Sequence, residues 1–446
     1  MRRQYKLNPC DYLFFAHDAM MRKAGQTGNL PFMVMDLAGG LDPAALEAAV
    51  DRALQAHPAV RSRAAISLLT GWPRWKVARE SDHRPVVLHD LRSCPDWRAE
   101  AQSRFESALR DGWDLYSAPQ VRLDVCLGPD DQARLCVRWP HALMDAEGVL
   151  WFLHEIDRLW HDASDSTSAL VRPDHEVINV LAGDSFPQRL RLFYRGLRAY
   201  RGYGQLTLGG FSDGPASGGQ WRYLHRRWEG AAWRELRDRS LRWCPNGSAR
   251  FSRYLGGCVL RALHAMFAER GVRNDACLVT LPMRVRDLPL RRPVPGNYLV
   301  SATLCATSEA ACDKQRLLDE LDLQISDYLD NGTDRANWAM VWVVGFLRLG
   351  QYRWTLGSRA GLQTYASGFS YYGEIDPPIR SFLGATVTNL WGSGSVSAPP
   401  GWNAVFSRFG DSLNLGLSWL DGYYRRDAAE RYLKLIESEM FDTGGE

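Results

Sequence analysis

Two stretches of the chain switch repeatedly between strand-like and helix-like apolar spacing, and a polar zone lies between them. In the first half, residues 32–37 form a short apolar run of strand type. Leu41-Asp42-Pro43-Ala-Ala follows, where Asp42 can cap a helix and Pro43 suits its first position. Leu46, Ala49, Val50, Ala53 and Leu54 recur at helical spacing up to His57-Pro58, where the residue before proline leaves the α region. Residues 121–127 and 133–139 alternate apolar and polar around Gly128-Pro-Asp-Asp, the grammar of a hairpin. Val149, Leu150, Phe152, Leu153, Ile156 and Leu159 then mark an amphipathic helix ending near Trp160.

The second half repeats this grammar. Helical periodicity covers roughly 230–242, 250–269, 309–329 and 427–440. Strand-like runs fall at 276–281, 297–305, 366–372, 385–389, 404–409 and 413–419. Residues 161–185 are polar and residues 204–220 are rich in Gly and Ser. A length of 446 residues exceeds what one hydrophobic core fills, about 250–300 residues. The expectation is a mixed α/β chain of two sandwich domains, residues 1–180 and 221–446, joined by a linker at 181–220.

Composition excludes several classes. With 54 basic and 51 acidic residues the net charge is +3, too balanced for a nucleic-acid footprint over the whole surface. Nine cysteines, an odd number with no C-x-x-C pair, indicate neither a disulfide framework nor a zinc ribbon, and no His/Cys cluster has metal spacing. The basic start lacks a long apolar stretch and a cleavage site, and the apolar run 338–347 is too short to cross a bilayer. A cytoplasmic monomer without a transmembrane segment is expected.

The chemistry-bearing element is His141-Ala-Leu-Met-Asp145. His141 directly follows an alternating strand, whose end can project a side chain into a cleft. Asp145 opens the next helix, where a carboxylate can cap backbone N–H groups. Taken alone the spacing is weak, and a lone histidine is usually structural.

In context, the element resembles the His-x-x-x-Asp signature of the condensation-type, chloramphenicol-acetyltransferase-like acyltransferases. That superfamily includes nonribosomal peptide synthetase condensation domains, wax-ester synthases and alcohol acyltransferases. Leu37-Ala-Gly-Gly-Leu-Asp42 with His57-Pro58-Ala-Val60-Arg61 resembles the family's opening. Trp113-Asp114-Leu115-Tyr-Ser-Ala-Pro119-Gln-Val-Arg122 is similar to the stretch before the motif strands. Leu281-Pro282-Met-Arg284 with Pro295-Gly296-Asn297, and Ser370-Tyr371-Tyr372-Gly373-Glu374-Ile375, resemble second-domain segments.

The resemblance implies two chloramphenicol-acetyltransferase-like domains forming a V with a cleft or tunnel between them. It implies acyl transfer from a thioester to an amine or hydroxyl, in secondary metabolite or lipid biosynthesis. His141 would be the general base, its ordinary pKa near 6.5 suiting that role. Asp145 would pair with an arginine, Arg61 first and Arg63 second, to fix the turn. Gly148 would stand in for the glycine usually found after the aspartate, where this chain has Ala146. Asn297, Ser370, Tyr371 and Trp391 would be cleft residues, with Trp402 and Trp419 nearby. For Asn297 a turn role, and for the tryptophans core filling, are the competing readings. No cofactor is bound; acyl-coenzyme A or acyl-phosphopantetheine serves as co-substrate. The partners are an acyl thioester donor, free or on a carrier protein, and a small amine or alcohol acceptor.

Two departures support an alternative, a non-catalytic binding or scaffold module with a degenerate loop. Pro140 replaces the first of two histidines often found in condensation domains, and Ala146 adds a methyl beside His141. The segment 186–203 carries five arginines and no acid. It could meet a carrier-protein helix, coenzyme A phosphates or an anionic membrane, or be a solvated linker helix.

Overall fold

The computed structural model describes residues 4–67, 70–79, 81–162, 180–203, 206, 208, 210–215, 219–246, 249–284, 296–356, 365–374 and 379–442. Pro295, Ile375 and much of the two polar zones lie outside these residues.

The first sheet has six strands in the order β12-β13-β2-β7-β6-β5. These are β2 (Phe32–Ala38), β5 (Val86–Asp90), β6 (Arg122–Leu127), β7 (Gln132–Arg138), β12 (Ser381–Phe382) and β13 (Ala385–Ser393). Helices α2 (Pro43–Ala56), α3 (Trp97–Arg110) and α4 (Ala146–His161) belong to this half. The elements form for local reasons. Asp42 accepts from the Ala44 amide at 2.9 Å and Pro43 starts α2, which stops at His57 before Pro58. Its Leu46, Ala49, Val50, Ala53 and Leu54 are buried, and each leucine contributes about 1.5–3 kcal/mol of burial. The β6–β7 hairpin turns through Asp130 and Asp131 at positive φ, a conformation aspartate tolerates better than most residues.

The second sheet has the order β10-β9-β11-β14-β15-β8. Its strands are β8 (Gln220–Glu229), β9 (Ala276–Arg284), β10 (Leu299–Thr307), β11 (Ser367–Glu374), β14 (Trp402–Phe409) and β15 (Ser412–Asp421). Around it lie α6 (Ala231–Trp243), α7 (Arg250–Glu269), α8 (Ser308–Ala311), α9 (Lys314–Asp330) and α12 (Arg426–Phe441). The single helix expected over 309–329 is broken after α8. Asp313 turns its carboxylate to the Arg316 amide at 3.0 Å and caps α9 afresh.

A third, three-stranded sheet is formed by β1 (Gln4–Lys6), β4 (Pro73–Val77) and β3 (Ser62–Ile66). Four more helices complete the described elements: α1 (Pro9–Lys23), α5 (Phe186–Tyr203), α10 (Thr333–Val344) and α11 (Leu349–Leu356). Each large sheet has its own core, the first built around Phe32, Leu135 and Phe152, the second around Val259, Leu304 and Leu415.

Chain order and sheet membership do not coincide. Strands β12 and β13 come from the second half, yet β13 pairs antiparallel with β2 from Ser393↔Phe32 to Thr386↔Ala38. A division at 181–220 therefore leaves residues 381–393 inside the first sheet. β13 also meets β15 of the second sheet, where Asn389 and Asn414 exchange side-chain hydrogen bonds at 3.1 and 3.0 Å. Helix α1 also crosses between halves, packing on α10 and α11.

Candidate functional site

Strand β7 delivers the motif. Past Arg138, whose guanidinium pairs with buried Asp124 at 2.6 Å, the chain leaves the sheet. The buried Trp139 indole donates to the Met144 carbonyl at 2.9 Å and closes the loop beneath His141. Pro140 has no N–H to offer the sheet, and the His141 amide donates instead to the Asn29 carbonyl at 3.0 Å. The loop then enters α4 with Asp145 as N-cap. Gly148 is fixed by space: a Cβ there would lie 2.8 Å from the Met144 Cβ.

The partner side comes from the segment before β10. Asn297 is fully buried. Its Nδ2 donates to the His141 carbonyl at 2.7 Å and to Asp11 Oδ1 at 2.9 Å. Its backbone N–H also donates to Asp11 Oδ1, at 3.0 Å, and its carbonyl accepts from the Asn8 side chain at 2.9 Å. With both amide protons committed, Asn297 Oδ1 is the end that meets His141 Nδ1, at 3.0 Å. An oxygen there requires Nδ1 to carry the proton, so Nε2 holds the free lone pair. The Phe14 ring lies flat on the imidazole, centroids 3.6 Å apart and planes 11° apart. His141 remains partly exposed.

Asp145 joins the same seam. Its Oδ1 accepts from the Gly148 amide at 2.9 Å and its Oδ2 from the Tyr298 amide at 3.1 Å. Its own N–H donates to the Gly296 carbonyl at 3.3 Å. The arginine partnership expected for it is corrected. Among the described residues neither Arg61 nor Arg63 pairs with a carboxylate, and Arg61 Nε is buried without a partner. Two backbone amides, one from each half of the molecule, take the place of the guanidinium.

Burial governs the electrostatics. It pushes the His141 imidazole down to about 4, against the hydrogen bonds to its own carbonyl and to Asn297 that pull it up. Burial raises Asp11 to about 7 and Asp145 to about 6, despite the N–H groups each accepts from. His17, on α1, is pushed down to about 3 by burial, with His141 nearby adding to the effect. Its Nδ1 lies 3.1 Å from Asn29 Nδ2, and its Nε2 is buried without a partner among the described residues.

Among the described residues, none of the other expected cleft residues shares a hydrogen bond or ring contact with His141. Ser370 is buried on β11. Tyr371 points to the opposite face, where it packs against Phe251 of α7 at 5.3 Å, as strand alternation dictates. Tyr372 is the neighbour close enough to Asp145 for that carboxylate to add to the burial that raises its phenol. Trp391 is core: it stacks on His225 at 3.9 Å and meets Phe32 edge-on at 5.7 Å. Trp402, stacked on Tyr424 at 3.9 Å, and Trp419 are likewise buried.

Asp11, Phe14 and His17, all on α1, were absent from the sequence reading. The start of that helix was legible: Asn8 before Pro9, with Asp11 three residues on, is a capping box, and the structure contains both of its bonds. Among the described residues no His/Cys/Asp/Glu group could hold a metal ion, and no helix is long and apolar enough to cross a membrane.

No protein-family model matches the chain, and no curated protein matches it. Solved structures do. The first condensation domain of the CDA synthetase superposes with a TM-score of 0.71 at 14% identity, over 98% of this chain and 96% of that one. The starter condensation domain of rhizomide synthetase, a mutant in complex with C8-CoA and Leu-SNAC, gives 0.69 at 14% identity, over 98% and 94%. The epimerization domain from the third module of tyrocidine synthetase B gives 0.64 at 14%, over 98% and 95%. The fold is that of condensation and epimerization domains: two chloramphenicol-acetyltransferase-like lobes.

Proposed function

We propose that the chain is a condensation-type acyltransferase, moving an acyl group from a thioester to an amine or hydroxyl with His141 as general base. The supporting observation is the proton inventory at the seam. Asn297 holds the proton on Nδ1, Phe14 holds the ring plane, and Nε2 is left as a neutral acceptor on a partly exposed side chain. Likeness to domains that bind C8-CoA and substrate analogues favours a thioester donor, carried by coenzyme A or a carrier protein.

The steps balance without a covalent enzyme. The acceptor nitrogen or oxygen attacks the thioester carbon while Nε2 removes its proton. The tetrahedral intermediate collapses with loss of the C–S bond, and the imidazolium returns the proton to the departing thiolate. A neutral histidine with a depressed pKa resists becoming cationic at rest, so it stays competent as a base well below neutral pH. Asp145 has no part in proton transfer; it ties the loop to the second lobe.

The test is intact-mass detection of products from a panel of acyl thioesters with amine and alcohol acceptors. Once a pair turns over, His141→Ala lowers kcat by about 10²–10⁴-fold. With an alcohol acceptor, protonation of His141 lowers the wild-type rate as pH drops through about 4. Binding of thioesters by the wild type without any product, across the panel, would leave the scaffold reading in its place.

A further inference from the structure

Helix α5 has two unlike sides. One is seated on the second half: Gly196 comes so close to α10 that a Cβ would lie 2.9 Å from the Ala336 carbonyl oxygen. Leu192 packs on the second core, and the Arg189 guanidinium lies 5.3 Å over the Trp342 ring. The other side faces outward. Phe186 is 70% exposed, Leu190 40% and Tyr194 60%, spaced four residues apart and so along one stripe. Arg191, Arg195, Arg198 and Arg201 are exposed beside that stripe and form no ion pair among the described residues.

Next to this face is a groove of about 300 Å³ between α5 and the turn entering α10. Arg191, Arg195 and Arg335 line it, the last held at 2.6 Å by Asp184. Gly332, also in the lining, is the N-cap of α10 and supplies no side-chain cap to that helix's first amides. With Arg335 neutralised by Asp184, the guanidinium groups of Arg191 and Arg195 at the border of this groove are the ones that suit a phosphate.

We propose that the outward face of α5, with the adjoining groove, docks the chain onto an anionic phospholipid surface. A soluble phosphate would account for the groove but not for the apolar stripe. A solvated linker would account for the arginines but would not hold a phenylalanine and a tyrosine in water. A bilayer interface satisfies both, taking Phe186, Leu190 and Tyr194 among the acyl boundaries and the arginines among the phosphates. Each arginine near such a surface strengthens partitioning roughly fivefold.

The experiment is flotation of the full chain with vesicles of phosphatidylcholine alone or mixed with phosphatidylglycerol, at low and high salt. Binding is expected to the mixed vesicles only, and weaker at high salt. The triple variant Arg191→Glu, Arg195→Glu, Arg198→Glu should bind at least about tenfold less. Phe186→Ser with Tyr194→Ser, at unchanged charge, should bind severalfold less. Both variants should keep wild-type circular dichroism and acyl transfer to soluble acceptors, since none of these residues touches the His141 site. Absence of binding to the mixed vesicles overturns the proposal. So does undiminished binding by the serine variant, or complete displacement by millimolar inorganic phosphate, which would mark a free-anion site.

Discussion

A primary amide is ambiguous where a carboxylate is not: one end donates, the other accepts, and a half-turn exchanges them. At Asn297 that ambiguity would decide which nitrogen of His141 carries the proton. Asp11 removes it. A carboxylate accepting from both the backbone N–H and the Nδ2 of Asn297 can only be met by the donating end of the amide. Asn297→Ala should lower kcat about 10–100-fold with little change in KM, the usual cost of losing a partner that orients a reacting group. Asp11→Ala should move in the same direction while the fold persists. Nitrogen NMR of His141 would read the cause directly: a mixture of ring tautomers in both variants, one tautomer in wild type. Unchanged kcat with a single tautomer in both variants would remove Asp11 and Asn297 from the site's function.

At the scale of elements, what could be read from sequence was what is local. The start of α2 at Asp42-Pro43 and the β6–β7 hairpin around Gly128-Pro-Asp-Asp depend on neighbours a few residues away, and both stand where the sequence puts them. His141 was placed correctly at a strand end for the same reason. The partners were less legible: Asn297 came only from the resemblance, and with no stated contact. Asn297 reaches His141 across 156 positions, and a Gly-Asn pair reads equally well as a turn. Arg61 was expected beside Asp145 because the family resemblance implies a carboxylate–arginine pair there. Backbone amides, which every residue carries and no sequence pattern marks, hold the carboxylate instead. Gly148 belongs at this scale too, as the point where the loop passes over the first turn of α4. Gly148→Ala should cost about 1–3 kcal/mol through overpacking against Met144, seen as a lower Tm. An unchanged Tm would mean that the loop has room to shift.

For the whole molecule, the partly buried histidines dominate the response to acid. Burial is the first cause of depression for His17, to about 3, and for His83, His141 and His225, to about 4. The unfolded chain takes up protons at these groups near pH 6.5 while the folded chain refuses them until about 4. They therefore destabilise the fold as pH falls through that window. Asp11 and Asp145 act oppositely, since the folded chain keeps protons up to about 7 and 6 that the unfolded chain has shed by about 4. Four groups outweigh two, so Tm should climb from pH 4 to 6.5. A Tm that is highest near pH 4 would show that the carboxyl groups prevail.

The strand β13 works like a tenon. It is covalently part of one half and hydrogen-bonded along seven positions into the sheet of the other. The halves cannot swing apart on the connecting segment without drawing that strand out of its slot, so any widening around His141 has to be a small slide or twist. A polypeptide severed between α5 and β8 and produced as two fragments should accordingly purify as one particle. Fragments that elute separately would mean that the joint does not hold.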